Sequence, residues 1–397
     1  MKEKLALDGG VPVRKEFLPY SRPVLTPEEE AAALDVLKSG WLTTGPTIGR
    51  FEEAFSRATG AAHAVAVSSC TAALHLAYAA VPTTAGDEVV VPALTFAATA
   101  AAAVMTGARP VIADVGDDLN LSAVEAERRL TPRTRAIAVV HMGGLPADLD
   151  GLETLAAARN VALVQDCAHA VGTRYDDRPV GGRGFAACYS FHAVKQISAG
   201  EGGTLTTDRE TVAARARLMR SHFQTTSAGT RHGRQASYRY DIVGAGYNYR
   251  LPEINAALAL SQLGHLAADD ARRQELAAYY DRAFAARGEL ELIPVPPGAR
   301  HGRHLYIVKL RLDTLKESRD EVFRALRAEN IGVNVHYIPL HYHTYYRETF
   351  GYRPGDFPNA ERLFERIISL PLFAAMTEGD AADVVAAVNK VLDHYKR

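Results

Sequence analysis

The sequence predicts an α/β protein with a large domain built on a mostly parallel sheet, followed by a smaller α/β domain. Short apolar runs alternate with helical patterns between residues 64 and 207, and strands that are apolar throughout belong to sheets covered on both faces. The 397 residues also exceed what one hydrophobic core usually fills. We therefore assign residues 1–250 to the large domain with an N-terminal arm, and residues 251–397 to a linking helix and the small domain.

The first helix is predicted from Thr26-Pro27-Glu28-Glu29, which supplies an N-cap, a proline at the first helical position and a carboxylate three residues after the cap. This helix should end at Gly40. Seven strands are predicted after it: Ala64–Val67, Glu88–Val91, Val111–Ala113, Ile137–His141, Ala162–Gln165, Ala187–Phe191 and Thr204–Thr207.

One stretch of the large domain, Val89 to Ala108, carries no charge and is long enough to span a bilayer. Pro92 interrupts it, and alanine and threonine keep its hydrophobicity low for a membrane span. We therefore predict a buried strand, a turn at Pro92 and an alanine-rich helix.

The second part of the chain is expected to begin with a long helix from Glu253 to about Ala285, with Pro252 at its start. Thr377 and Asp380 form a capping pair for the last helix. After the long helix we predict a strand at Leu305–Leu310, a helix at Arg319–Glu329, a strand at Gly332–His336, and helices at Asn359–Ile368 and Glu378–Tyr395.

The net charge and the cysteines indicate which partners and which cellular compartment to expect. A formal net charge of −1 and a pI near 6.9 give no long-range field for nucleic acid or an anionic membrane, so we expect neither partner. Three cysteines within apolar runs do not form a disulfide framework and indicate a reducing compartment. The N-terminal MKEKLALDGG lacks the apolar core of a signal peptide, so we expect a cytoplasmic protein.

Lys195 is the residue on which the functional prediction depends. It lies in Ser190-Phe191-His192-Ala193-Val194-Lys195, just beyond an apolar strand, and leads into Gly200-Glu201-Gly202-Gly203. A lysine amine forms a Schiff base with a carbonyl, and pyridoxal phosphate is the cofactor that proteins most often hold in this way. Alone, such a lysine is usually a surface residue.

Other side chains that suit this cofactor follow other apolar runs, where ligands of open α/β sheets bind. The small residues of Ser68–Ala72 open a helix whose N–H groups and hydroxyls suit a phosphate, and Phe96 can stack on a pyridine ring. Asp166 can pair with a protonated pyridine nitrogen, and His169 can reach the phenolic oxygen. Each has a plain structural alternative as a cap or packing residue, but their order along the chain favours one shared site.

Several motifs occur together in register along nearly the whole chain. They are Ser39–Pro46, Gln165–Ala170, Ser190–Lys195 with Gly200–Gly203, Gly246–Arg250 and Ser369–Leu372. In these motifs the chain resembles the DegT/StrS sugar aminotransferases, which are pyridoxal-phosphate enzymes of the aspartate aminotransferase fold, fold type I.

The resemblance implies a role for each candidate residue. Lys195 would hold the cofactor as a Schiff base and then move the proton of the 1,3-shift, while Asp166 would pair with the pyridine nitrogen. Asn248 would reach the phosphate in the neighbouring subunit, which implies a homodimer with shared sites. The remaining cofactor contacts would come from Cys70, Thr71, Ala72, Phe96, His169 and Ser190. Cys70 and Cys167 depart from the residues usual in the family, and we interpret both as packing residues.

The implied reaction takes the amino group of L-glutamate and passes it to the keto carbon of a nucleotide-linked keto-deoxy sugar. The segments Pro19–Pro23 and Trp41–Pro46 resemble those of enzymes that aminate C4, which implies that the keto carbon is C4. Three alternatives stay open: a sugar dehydratase of the same family, which Lys195 argues against; an aminohydroxybenzoate synthase, which only the Trp41 region argues against; and a pyridoxal-phosphate-binding regulator without turnover.

Two further clusters have open roles. Arg231, Arg234 and Arg239 in the loop from Gln224 to Tyr240 can bind a diphosphate, or form a solvated basic loop. His336, His341 and His343 invite a metal-site reading. We discount it because the spacing does not suit ligands on one helix face and we expect no acidic residue to lie close, and we expect this region to shape the sugar pocket.

Overall fold

A seven-stranded sheet lies at the centre of the protein, whose computed structural model describes residues 3–225 and 239–397. The strands up to residue 207 are β1 (His63–Val67), β2 (Glu88–Pro92), β3 (Arg109–Ala113), β4 (Thr134–Val140), β5 (Ala162–Asp166), β6 (Arg174–Tyr175), β7 (Arg178–Pro179), β8 (Ala186–Ser190) and β9 (Gly203–Thr207). The hairpin of β6 and β7 is separate from the central sheet. The strand order of the central sheet is β1-β9-β8-β5-β4-β2-β3, and every pair is parallel except those made by β9. All seven predicted runs are strands of this sheet, so the mostly parallel α/β fold is confirmed.

Both faces of the sheet are covered by apolar side chains. Val65 and Val67 of β1 belong to one buried cluster, whereas Ala64 and Ala66 of the same strand belong to another. This alternation places the clusters on opposite faces, which explains why the strands are apolar throughout. The helices that supply the covering layers are α1 (Pro27–Ser39), α2 (Pro46–Thr59), α3 (Cys70–Ala80), α4 (Ala97–Met105), α5 (Ala123–Glu127), α6 (Leu149–Arg159) and α7 (Glu210–Arg220).

The uncharged stretch after residue 88 folds as predicted, into buried β2, a short connection and the alanine-rich α4. Among the described residues, no helix is both long and apolar enough to cross a membrane. Helix α1 has the predicted capping box, in which Glu29 accepts from the backbone N–H of Thr26 at 2.7 Å.

The remainder of the chain forms a second, smaller sheet with its own apolar cluster, which also includes Leu5 and Leu18 from the N-terminal segment. The helices and strands of this part of the chain are α8 (Glu253–Phe284), β10 (Leu290–Leu292), β11 (Ala299–Arg300), β12 (Tyr306–Leu310), α9 (Arg319–Ala328), α10 (Thr344–Phe350), α11 (Pro358–Phe364), β13 (Ile367–Leu370) and α12 (Glu378–Tyr395). The sheet is antiparallel, in the order β10-β12-β13, while β11 pairs with β6. The domain boundary near residue 250 stays a prediction.

Two predicted elements of this part are wrong. The segment Gly332–His336 is not a strand: Asn334 makes a single bridge to Ser369, while the preceding residue, Ile331, bridges to Leu18. Because its hydrogen bonds go to two different partners, no ladder forms. The helix expected over Asn359–Ile368 ends at Phe364, because Ile367 and Ile368 pair with β12 instead.

Candidate active site

A cavity of about 600 Å³ opens at the carboxyl ends of the central strands. The loops after β1, β2, β5 and β8 each contribute to it, as expected for an open α/β sheet. Seven of the nine predicted site residues line it, namely Cys70, Thr71, Phe96, Asp166, His169, Ser190 and Lys195. Ala72 and Asn248 do not.

Lys195 presents its amine to the cavity. The turn after β8 is fixed by the backbone N–H of Lys195, which donates to the His192 carbonyl at 2.8 Å. No hydrogen bond or ion pair holds its Nζ within the described parts of the chain. Burial lowers the pKa of Lys195 from its usual 10.5 to about 8. A larger share of the amine is therefore neutral, and nucleophilic, near neutral pH.

Asp166 ends β5 as a buried carboxylate with a donor on each oxygen. The Thr99 hydroxyl donates to Oδ2 at 2.7 Å, and the Ala168 N–H donates to Oδ1 at 3.1 Å. Burial raises the pKa of Asp166, while these two hydrogen bonds and the charge of Lys195 lower it. A carboxylate in this setting suits a cationic partner in the cavity, since a buried charge is costly unless it is paired.

Phe96 lies at the start of α4 and is not a core residue. Its side chain is 59% exposed although it lines the cavity, and the centroid of its ring lies 5.8 Å from that of Tyr337. An aromatic face left open in a cavity is available to stack on a flat ligand.

The N-terminus of α3 forms one end of the cavity. Its cap, Ser69, accepts from the Ala72 N–H at 3.1 Å, so Ala72 is buried and already hydrogen-bonded within the protein. Gly203 of β9 packs closely against this turn, since a Cβ there would lie 2.4 Å from the Ser69 carbonyl carbon. Glycine at this position lets the sheet support the start of the helix. Ser190, at the end of β8, lines the same cavity.

His169 is fixed in one neutral form by its neighbours. Its Nδ1 accepts from the Gly143 N–H at 3.2 Å, so the proton of the neutral ring is on Nε2, which lies 3.0 Å from the Tyr337 hydroxyl. Burial lowers the pKa of His169 well below its usual value. The ring of His304 lies against it, with centroids 4.5 Å apart.

Part of the cavity wall comes from two regions that the sequence analysis linked to the sugar, Pro19–Pro23 and the surroundings of His336, and from His304, which the sequence did not single out. Tyr20, His304, Asn334 and Tyr337 line it together with His336, whose Nδ1 lies 2.8 Å from the Ser369 hydroxyl. Burial lowers the pKa of His336 to about 3. These residues come from the N-terminal segment and from beyond residue 300, and no local pattern in the sequence signals that they meet.

Several predicted contributors do not reach this cavity within one chain. Asn248 is exposed, and Trp41 is 40% exposed and outside the lining. Arg231 and Arg234 lie outside the described residues, and Arg239 is exposed.

The histidines after residue 335 belong to separate surroundings. His341 is buried, and its Nε2 lies 2.9 Å from Oε1 of Glu361. The expectation that no acidic residue lies close to these histidines is therefore wrong. Residues distant in sequence are brought together here by α11. Within residues 3–225 and 239–397, no three histidine, cysteine or carboxylate side chains are grouped to hold a metal ion.

A lysine, a buried carboxylate and an open aromatic ring meet at the carboxyl edge of the seven-stranded sheet, and this arrangement suits pyridoxal phosphate. The chain belongs to the DegT/DnrJ/EryC1/StrS aminotransferase family, which it matches over residues 23–389.

Relatives in this family agree with the assignment. The spore coat polysaccharide biosynthesis protein SpsC of Bacillus subtilis is 41% identical over 381 residues, which are 96% of this chain and 98% of SpsC. The solved structure of Helicobacter pylori PseC, an aminotransferase involved in the biosynthesis of pseudoaminic acid, has a TM-score of 0.90 at 29% identity and covers 96% of this chain and 100% of PseC. The structure of the putative sugar aminotransferase Spr1654 of Streptococcus pneumoniae, solved in a PLP-form, has a TM-score of 0.88 at 30% identity. It covers 95% of this chain and 99% of Spr1654.

Proposed function

We propose that this protein transfers the amino group of L-glutamate to the keto carbon, at C4, of a nucleotide-linked keto-deoxy sugar, with pyridoxal phosphate as cofactor. The observation that carries the proposal is the amine of Lys195, which has no hydrogen-bond or ion-pair partner among the described residues and shares one cavity with the Asp166 carboxylate and the open ring of Phe96. The names of the related sugar aminotransferases support the substrate class.

The residues of the cavity fit pyridoxal phosphate. When bound, this cofactor supplies an aldehyde that accepts an amine and a ring that withdraws electrons from the adjoining carbon. Asp166 would hold the ring nitrogen in its protonated form, Phe96 would cover one face of the ring, and His169 would lie near the phenolic oxygen. We assign the phosphate to the start of α3 and the end of β8, that is, to Thr71 and Ser190 with the backbone at Ala72 and the neighbouring Cys70. In this assignment the Ala72 N–H would exchange its present acceptor, the Ser69 hydroxyl, for a phosphate oxygen.

Lys195 has two tasks in this proposal. It binds the cofactor through Nζ, which its lowered pKa of about 8 favours because the neutral amine is the reactive form. Nζ would also move the proton of the transfer, accepting it from the substrate carbon and then giving it up again, so that the amine ends in its starting protonation state. A buried amine with a pKa near the working pH suits both halves of such a transfer.

The acceptor sugar is assigned to the polar wall that faces Lys195. Tyr20 and Asn334 lie there beside His336 and Tyr337, so hydroxyl, amide and imidazole groups face the cavity together. Such groups hydrogen-bond sugar hydroxyls without adding charge, and the ring of Tyr337 offers an apolar face. The sugar identity and the C4 position rest on the family resemblance.

We further propose a homodimer in which Asn248 completes the partner's site. Asn248 is exposed and lies outside the cavity of its own chain, although its segment is anchored by a hydrogen bond from Ser68 N to Tyr249 O of 2.8 Å. A fixed segment with an exposed amide suits a contact across a twofold axis. We propose a cytoplasmic location, which the three free, buried cysteines support.

The proposal is tested by adding pyridoxal phosphate to the protein and to Lys195→Ala, with Lys316→Ala as an exposed lysine control. We expect a visible absorbance band in the wild type and the control that L-glutamate bleaches, and no such band in Lys195→Ala. A band of equal strength in Lys195→Ala would overturn the assignment of the lysine.

A further inference from the structure

Two buried threonines, Thr95 and Thr99, form a chain of hydroxyls that ends at Asp166, and Thr95 also lines the cavity. Thr95 follows β2, and Thr99 is in the first turn of α4, four residues later. Their Oγ1 atoms are 2.6 Å apart, and Thr99 Oγ1 lies 2.7 Å from Asp166 Oδ2. Thr95 is 2% exposed and Thr99 is fully buried, so water does not replace these contacts.

The direction of the chain follows from its chemistry. An ionised carboxylate only accepts hydrogen bonds, so Thr99 gives its single hydroxyl proton to Asp166. Thr99 then has only lone pairs for the second contact, and Thr95 must be the donor there. Each bond strengthens the next in a low-dielectric interior. The two hydroxyls therefore form a directed series in which Thr95 donates to Thr99 and Thr99 donates to Oδ2 of Asp166.

The same turn of helix also places Phe96, which lies between the two threonines in sequence. One short segment thus supplies both the exposed ring of Phe96 and the hydroxyl of Thr99 that donates to Asp166. Asp166 Oδ1 is held separately by the Ala168 N–H at 3.1 Å. The Cys70 thiol is a second donor to the same oxygen, with its Sγ at 4.0 Å. Because both oxygens have protein donors, the orientation of the carboxylate is fixed at the wall of the cavity.

We propose that Thr99, supported by Thr95, is the positioning residue that keeps the Asp166 carboxylate ionised and aimed into the cavity. This inference rests on the proposed function, in which Asp166 meets a ring nitrogen. The hydroxyl chain opposes the cost of burying that charge, which otherwise favours the neutral acid.

The test measures the acidity of Asp166 in the full-length, cofactor-free protein. Carboxyl ¹³C NMR of protein labelled at aspartate follows its titration, and Asp166→Asn identifies the resonance. Thr99→Val keeps the shape and removes the hydroxyl, whereas Thr99→Ser keeps the hydroxyl. Thr204→Val is a matched control, because Thr204 is fully buried and its hydroxyl has no partner within the described residues.

We expect Thr99→Val to raise the pKa of Asp166 by on the order of one pH unit, since it removes a hydrogen bond to a charged group. Thr95→Val should raise it by less, and Thr99→Ser and Thr204→Val should leave it near the wild-type value. If Thr99→Val does not fold, the contrast between Thr95→Val and Thr204→Val decides. A pKa of Asp166 that is the same in the valine variants at 95 and 99 and in Thr204→Val would overturn the proposal.

A second readout uses the enzyme loaded with pyridoxal phosphate. Thr99→Val should lower kcat about tenfold, with the KM for glutamate close to wild type, and Thr99→Ser should restore kcat. Unchanged kcat in Thr99→Val would overturn the role of Thr99. If the wild type transfers no amine although Thr99→Val shifts the titration of Asp166, the proposed function fails while the coupling of Thr99 to Asp166 stands.

Discussion

Replacing Lys195 with methionine should stabilise the cofactor-free protein. Methionine keeps most of the length of the side chain and removes a charge that no hydrogen bond or ion pair compensates in the described residues. The cost of that charge is visible in the pKa of Lys195, which burial lowers from 10.5 to about 8. In the proposed function, Lys195 is thus held at the expense of stability, as expected at a site shaped for chemistry.

The size of the effect follows from this difference in pKa. At 1.36 kcal/mol per pH unit, the charged amine destabilises the folded state by up to about 3 kcal/mol at pH 7. Between pH 8 and 10.5 the unfolded chain binds more protons at Lys195 than the folded chain does, so this cost fades as the pH rises. Lys195→Met should therefore gain up to about 3 kcal/mol at pH 7, which is roughly 3–4 °C in Tm, and little above pH 10.5.

The assay is thermal unfolding of protein freed of cofactor, followed by circular dichroism at pH 7 and at pH 10. Lys390→Met is the matched control, because Lys390 is a buried lysine with partners: its Nζ lies 3.0 Å from the fully buried Glu329 carboxylate and donates to the Val11 carbonyl at 2.7 Å. Its loss should destabilise the protein by about 3 kcal/mol, because an unpaired buried carboxylate remains.

A Lys195→Met protein that is less stable than wild type at pH 7 would refute this reasoning. So would a gain in Tm that is equally large at pH 7 and pH 10, since it would show that packing, and not the charge, sets the difference.

Other predictions concern the acid, the dimer and the support of the large domain. Asp166→Asn should keep cofactor binding, measured by the visible band, and lose most of its turnover; unchanged rates would remove its proposed role. Co-expressed Lys195→Ala and Asn248→Ala chains should form a hybrid dimer with one intact site and regain activity, whereas no recovery would place Asn248 at its own chain's site. Glu253→Ala should lower the free energy of unfolding by about 3 kcal/mol in urea, because its carboxylate accepts three N–H groups at the start of α2, at 2.9, 2.9 and 3.2 Å; a loss below about 1 kcal/mol would contradict this.

The sequence predicted the central sheet, and the meeting of most candidate residues at its edge, for one physical reason. Strands buried on both faces must be apolar throughout, and each polar residue directly after such a run then lies at the same edge of the sheet. Asp166 and Ser190 end their strands in this way, and Lys195 follows closely. Their meeting in one cavity could therefore be expected from position alone.

The rest of the site could not be predicted in this way. Thr99 looks like any threonine within an alanine-rich helix, and only its contact with Asp166 gives it a role. His304 and Tyr337 reach the cavity from beyond residue 300, where adjacency depends on how the second sheet packs and not on local pattern. The predicted strand at Gly332–His336 failed for a related reason, because its hydrogen-bond partners lie far away in sequence.

The central claim is amine transfer from glutamate to a keto sugar, and isotope transfer tests it most directly. The protein, loaded with pyridoxal phosphate, is incubated with ¹⁵N-labelled L-glutamate and a panel of nucleotide-linked 4-keto and 3-keto sugars and carbocyclic ketones, and the products are analysed by mass spectrometry. We predict a ¹⁵N-labelled amino sugar from a nucleotide-linked 4-keto sugar together with 2-oxoglutarate, and neither product with Lys195→Ala. Labelling of a carbocyclic ketone alone, or of no nucleotide sugar, would contradict the account.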